Sequence, residues 1–282
     1  MLPLPWPFDA RYMQLALAAA LVIGVCAPLI GAFLVQKRLS LMGDGIGHLA
    51  FAGVAAGSLA DVWPTATALA AAVGGALAIE WLRTRGKASG DLALALFLYG
   101  GVAAGVVLLS RDGSLNRSVG YLFGSLLTID TGELWLIGAL GLVIVGAVWV
   151  AGGALFAVVL DEESARVAGL PVDLLNALLA VLTAVTIVAA MRVVGLLLVA
   201  ALMVLPVATG QQLGHSFRAT VTWAACVGAA SAVLGLVAAR AWALAPGASI
   251  VLIAAAAFVA TAALGRRRRP APALLGGAPG PG

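Results

Sequence analysis

Apolar residues run through this chain in long blocks, without the short periods of soluble strands and amphipathic helices, and polar residues gather where the blocks break. The blocks fall at about 12–35, 46–60, 64–82, 92–110, 133–158, 174–191, 193–209, 219–239 and 247–265. Most approach the ~20 residues a helix needs to cross hydrocarbon. The pattern therefore predicts an all-α polytopic membrane protein with nine spans, or eight if the sixth and seventh blocks, parted only by Arg192, are one. The second block is short and follows Gly43, Gly45 and Gly47, three glycines that weaken a regular helix, so a broken span is expected there.

The ends of the chain fit this parse. Residues 1–11 hold Asp9 and a single basic residue, Arg11, so they lack the basic segment of a secretory signal, and the run from Tyr12 to Val35 is long enough to be a retained span. Residues 1–11 read as an extracytoplasmic segment, 12–265 as the membrane domain, and 266–282 as a basic, Pro/Gly-rich, disordered cytoplasmic tail. Sorting Lys and Arg onto alternate sides of a nine-span parse tests the orientation. Lys37, Arg38, Arg83, Arg85, Lys87, Arg166, Arg218 and Arg266 to Arg269 share one side, eleven of the sixteen, while Arg11, Arg111, Arg117, Arg192 and Arg240 share the other. The richer side is expected in the cytoplasm.

Two connections are longer than their spans require. On the outer side, Ser110 to Thr128 mixes polar residues with a short apolar run, which suits a small helix dipping into the membrane, with Gly120 and Gly124 spaced for close packing. On the inner side, Leu160 to Pro171 opens on Asp161, Glu162 and Glu163, continues through Ala165 and stops at Gly169 and Pro171. These are the start and stop signals of a brief cytoplasmic helix, or of an ordinary capped loop.

One pair of residues carries chemistry inside the apolar pattern. Asp44 and His48 are four apart, which on a helix stacks them on one face, roughly 5–6 Å apart at Cβ, where both could reach one divalent cation. An ionisable residue in a membrane span is costly and reads as functional. The plainer alternative is a polar helix start, with Asp44 as an N-cap and His48 at the interface.

Composition narrows the function classes. At 63% hydrophobic and 10% charged, the chain is no soluble domain, and its net charge of +4 comes from residues between spans and in the tail, so it orients the chain and suggests no nucleic-acid partner. Cys26 and Cys226 lie singly in apolar runs and read as packing residues. The Gly86-Lys87 pair lacks the flanking residues of a P-loop, and no HExxH or GxSxG motif occurs, so the chain reads as no enzyme. His215, beside Gln211, Gln212 and Arg218, reads as a solvated loop residue.

Four ordered stretches resemble one family: Gln36-Lys-Arg-Leu-Ser-Leu-Met-Gly-Asp-Gly-Ile-Gly-His-Leu-Ala50, Tyr121-Leu-Phe-Gly-Ser-Leu-Leu127, Asp161-Glu-Glu-Ser-Ala-Arg-Val-Ala-Gly169 and Val194-Gly-Leu-Leu-Leu-Val-Ala-Ala-Leu-Met-Val-Leu-Pro-Val-Ala-Thr209. The chain is similar to permease subunits of zinc/manganese-type metal ABC transporters, which include bacterial zinc uptake permeases. The resemblance implies a multi-pass protein of the bacterial inner membrane that dimerises, contacts two cytoplasmic ATPase subunits that use ATP, and receives its ion from an extracytoplasmic metal-binding protein. It places Asp44 and His48 on the metal path and the segment with Asp161, Glu162, Glu163, Ala165 and Gly169 against the ATPase.

The cargo it suggests is Zn²⁺, with Mn²⁺, Fe²⁺ or a metal chelate as alternatives within transport, and no permanently bound cofactor. A polytopic metalloenzyme using the same pair is the alternative from another class. Two positions depart from the pattern: Arg117 stands where relatives often carry an acid, and Tyr99 where some zinc permeases carry histidine. Both remove a candidate ligand.

Overall fold

A computed structural model describes residues 7–85, 90–112, 120, 122–124 and 130–268. Its helices are α1 (Arg11–Gln36), α2 (Met42–Leu59), α3 (Pro64–Thr84), α4 (Gly90–Asp112), α5 (Thr131–Leu160), α6 (Glu162–Val167), α7 (Val172–Ala190), α8 (Leu196–Leu213), α9 (Phe217–Trp242) and α10 (Pro246–Arg268). No strand occurs among the described residues. In hydrocarbon every backbone N–H and C=O must be satisfied within the protein, and a helix does this inside a single segment.

Eight of the helices, α1, α3, α4, α5 and α7 to α10, are long and apolar enough to cross a membrane. The eighteen-residue α2 falls below that apolarity because it carries Asp44, His48 and five glycines. It is shielded by packing against α3, α4, α7 and α8. The sixth and seventh apolar blocks are separate helices, parted by a turn at 191–195 that ends on Gly195 at φ 87°.

The helices form three layers. α7 and α8 stand in the middle, with α2 against one side, flanked by α3 and α4, and α1 against the other, flanked by α5 and α9; α10 leans on α8 and α9. The largest buried side chains, among them Met13, Ile46, Leu182 and Leu202, come from helices of all three layers.

Several expectations change. Gly43, Gly45 and Gly47 were expected to break the second span, but α2 is continuous from Met42 and contains all three. The chain reverses earlier, at 37–41. There α1 ends in a Schellman motif: the Leu39 N–H donates to the Leu34 carbonyl at 2.8 Å and the Arg38 N–H to Val35 at 3.1 Å, with Arg38 left-handed at φ 60°. The glycines are retained for packing. Gly43 backs onto Ala200 of α8, and Gly45 faces Leu94 of α4.

On the outer connection, 113–119, 121 and 125–129 lie outside the described residues, and with them most of the expected dipping helix and Arg117. Gly124 does pack closely, against the backbone of Val193 and Gly195, whereas a Cβ on Gly120 would meet nothing within 4 Å. α10 continues to Arg268, into the run assigned to the tail. Residues 269–282 and the Gly86-Lys87 pair are outside the described residues. Cys26 is buried as a packing residue, but Cys226 is exposed on α9.

Candidate functional site

Asp44 and His48 sit in the first turns of α2, both half-buried. The backbone around them is tightly held. A Cβ on Gly101 of α4 would lie 2.8 Å from the His48 carbonyl carbon, so that helix can cross α2 at this level only with glycine there. Gly43 brings α8 in from another side. The helix is thus fixed while its Asp44–His48 stripe stays open.

The two side chains feel each other's charge, but among the described residues neither has a hydrogen bond or ion pair to any other group. Half-buried polar atoms without a protein partner are met by water or by a ligand. Beside the stripe, one turn before Asp44, Leu41 lines a small cavity of about 160 Å³ with Leu94, Ala95, Leu98 and Tyr99 of α4. Among the described residues no cluster of three or more His, Cys, Asp or Glu could hold a metal. One copy of the chain offers a carboxylate and an imidazole, two donors of a four-donor sphere.

The second predicted element, Asp161 to Gly169, is a six-residue helix capped at both ends. The Asp161 carboxylate accepts the N–H groups of Glu163 at 3.0 Å and Ser164 at 3.2 Å, and also the Ser164 hydroxyl. Those bonds, led by the Ser164 hydroxyl, hold the Asp161 carboxyl below its ordinary value. At the other end, the Leu170 N–H donates to Ala165 and the Gly169 N–H to Arg166, each at 3.1 Å, around Gly169 at φ 83°. This is a Schellman close that needs a residue tolerant of left-handed backbone. Ala165 is buried at its C3 position, while Glu163 and Val167 are exposed.

Glu162 fastens this helix to the bundle. It pairs with Lys37 at 2.8 Å and Arg83 at 3.1 Å and accepts from Asn176 of α7 at 3.2 Å, while Arg83 also pairs with Glu80 at 2.8 Å and Lys37 donates to Asn176. The ends of α1 and α3, the start of α7 and the whole of α6 therefore meet in one knot. Burial alone would raise the Glu162 carboxyl, but Lys37 and Arg83 outweigh it and hold it below its ordinary value. Burial pulls the Lys37 ammonium down, against the pull of Glu162.

Lys37, Glu80, Arg83 and Asn176 were not anticipated as site residues. The one local signal was the three-residue spacing of Glu80 and Arg83 near the end of an apolar run. At the opposite end of the bundle Glu133 pairs with Arg192, and Arg240 approaches Asp9 at 3.5 Å and lies over the Tyr12 ring.

Residues 9–265 match the model of a family described as the ABC 3 transport family. A Treponema pallidum protein named "Probable metal transport system membrane protein" is 34% identical over 90% of this chain and 95% of its own length. The manganese transport system membrane protein MntC of Halalkalibacterium halodurans is 30% identical over 88% of this chain and 85% of its own. Among solved structures, PsaBC from Streptococcus pneumoniae in complex with Fab aligns with a TM-score of 0.82 at 28% identity, covering 90% of this chain and 91% of that one.

Proposed function

The chain belongs to the ABC 3 transport family, a family of transport permeases and not of enzymes, and on that premise we propose that it carries a divalent transition metal into the bacterial cytoplasm through a path lined by Asp44 and His48. The observation that carries this reading is the half-buried carboxylate and imidazole with no other partner among the described residues. Two copies related by a twofold axis would supply two of each, a four-donor N₂O₂ set able to hold an ion in transit.

Oxygen and imidazole donors accept both Mn²⁺ and Zn²⁺. The name of the 30%-identical relative favours manganese, and two imidazoles in a four-donor set favour zinc. We take manganese as the preferred cargo and zinc as the competing one. The positive-inside pattern puts the end with Lys37, Arg83 and Glu162 in the cytoplasm. There α6, exposed along Glu163 and Val167, is the docking element for separate ATPase subunits, and its knot carries their movement to the ends of α1, α3 and α7. An extracytoplasmic binding protein delivers the ion at the opposite end.

The test is uptake of radiolabelled manganese, zinc and iron by cells expressing the full set of subunits. Manganese accumulation that needs both Asp44 and His48 supports the reading. Uptake of zinc in preference to manganese reverses the choice of cargo, and full uptake by either alanine variant removes the pair from the path.

A further inference from the structure

On the other side of α1 from α2, the helices leave a groove of about 820 Å³ between α1, α5 and α9. Its apolar part is lined by Leu29, Phe33, Val148, Trp149, Phe156 and Val221. Its floor is an aromatic cluster: the Phe217 ring lies 5.2 Å from Phe33 and 4.5 Å from Phe156. The groove opens at the basic end of the bundle onto a polar cavity of about 310 Å³ that shares Phe156, Ser216 and Phe217 with it and adds Gln36, Gln211 and His215.

Three features define what would fit. The shape is amphiphilic, with hydrogen-bonding groups at one end and hydrocarbon along the rest. The charge is one-signed: Arg218 lines the groove, no Asp or Glu lines either cavity, and among the described residues Arg218 has no ion-pair partner. The depth is that of one leaflet, since residues 148 to 156 extend about 12 Å along α5, most of the ~15 Å half-thickness of a bilayer core.

We propose that this groove is a binding site for an anionic phospholipid of the cytoplasmic leaflet, with the phosphate at Arg218 and Ser216 and one acyl chain running over Phe217 toward Trp149. A single guanidinium matches the single negative charge of a phosphodiester, and basic pockets between helices on the cytoplasmic side suit such headgroups. A second copy of the chain is the other candidate occupant. It is disfavoured because the open Asp44–His48 stripe belongs to the layer on the far side of α7 and α8, a point that rests on the reading of α2 given above.

Native mass spectrometry of the full-length chain, titrated with phosphatidylglycerol or phosphatidylcholine of identical acyl chains, tests the site. The wild type should retain phosphatidylglycerol about fivefold more tightly, the ~1 kcal/mol of one basic contact. Arg218→Gln, a change at an exposed side chain, should erase the preference. Gly153→Phe should weaken retention of both lipids, and the fold should accept it because a Cβ there meets nothing within 4 Å. Equal retention of the two lipids by the wild type, a preference that survives Arg218→Gln, or retention unchanged by Gly153→Phe would each overturn the proposal. So would efficient disulfide trapping of two copies through Trp149→Cys in membranes. Loss of transport in the Asp44 and His48 variants, or its absence, leaves the lipid counts unaffected, so the two readings fail separately.

Discussion

Lys37 and Asp44 stand at either end of one short turn, yet their surroundings follow opposite rules. Lys37 is nearly buried, its side chain 7% exposed, and it is met by Glu162 and Asn176, with Arg83 and Glu80 completing the knot. Asp44 and His48 are half-buried and, among the described residues, have only each other. A buried charge that is fully partnered holds helix ends in place and is expensive to disturb. A carboxylate and an imidazole left open in the same chain keep their lone pairs for a ligand from outside. On the function proposed above, the partnered groups hold the structure and the neighbouring open pair serves transport.

The largest effect expected from this contrast is on the open pair. Asp44→Ala or His48→Ala should lower metal uptake at least about 100-fold, beyond what loss of an outer-shell partner costs a metal site. The thermal midpoint of the solubilised protein should stay near that of the wild type, because neither side chain bonds another group among the described residues. A midpoint that falls while uptake persists would make the pair structural and dissolve the contrast.

Next in size is the partnered knot. Glu162→Ala leaves Lys37 and Arg83 facing each other without their shared acid. Breaking a buried pair costs about 3–5 kcal/mol, but the Glu162 side chain is 39% exposed and solvent screens it, so about 1–3 kcal/mol is expected. Thermal unfolding of the purified chain measures it. Lys37→Met, which keeps the stem and removes the ammonium, should also lower the midpoint. A midpoint unchanged by Lys37→Met would mean that packing of the Lys37 stem, and not charge, holds the knot.

The two regions also differed in how far they could be read from sequence. The Asp44–His48 spacing was legible because both members lie within one turn of one helix. The break assigned to their glycines was not, because glycine's weak helix propensity is overridden where α4 and α8 press on the α2 backbone at Gly101 and Gly43. The caps of α6 were legible as an acid, a short run and a glycine. Its anchoring was not, since Glu162 meets Arg83 across 79 residues of sequence and Lys37 meets Asn176 across 139. Such pairs are set by how the layers close, and no local pattern announces them.

A smaller effect isolates α6 from the metal pair. Gly169 closes the helix at φ 83°, and although a Cβ there would touch nothing, a branched side chain strains left-handed backbone by roughly 1–2 kcal/mol. Gly169→Val should lower ATP-driven uptake in vesicles while metal binding at Asp44 and His48 stays at wild-type affinity, and Gly169→Asn, which tolerates this conformation, should retain most transport. Ala165→Trp, which forces bulk into a buried position, should lose more. Normal ATP-driven uptake by the Val and Trp variants would separate α6 from coupling.

The smallest effect distinguishes the regions by pH. Against the upward push of burial, Lys37 and Arg83 keep the Glu162 carboxyl below its ordinary value, and the Ser164 hydroxyl and N–H groups do the same for Asp161. A carboxyl depressed in the folded state adds stability that is present above its unfolded pKa, ~4.3 for Glu, and lost as pH falls through the lower folded one. The knot should therefore hold steady from about pH 8 to about pH 5 and loosen only below the ordinary carboxylate range. Measured in steps from about pH 8 to about pH 3.5, the difference in thermal midpoint between wild type and Glu162→Gln should stay constant down to about pH 5. It should then narrow as a protonated Glu comes to resemble Gln. A difference that instead closes between pH 8 and pH 5 would mean that the Glu162 charge is not what fastens α6, and the partnered region would lose the steadiness that sets it apart from the open pair.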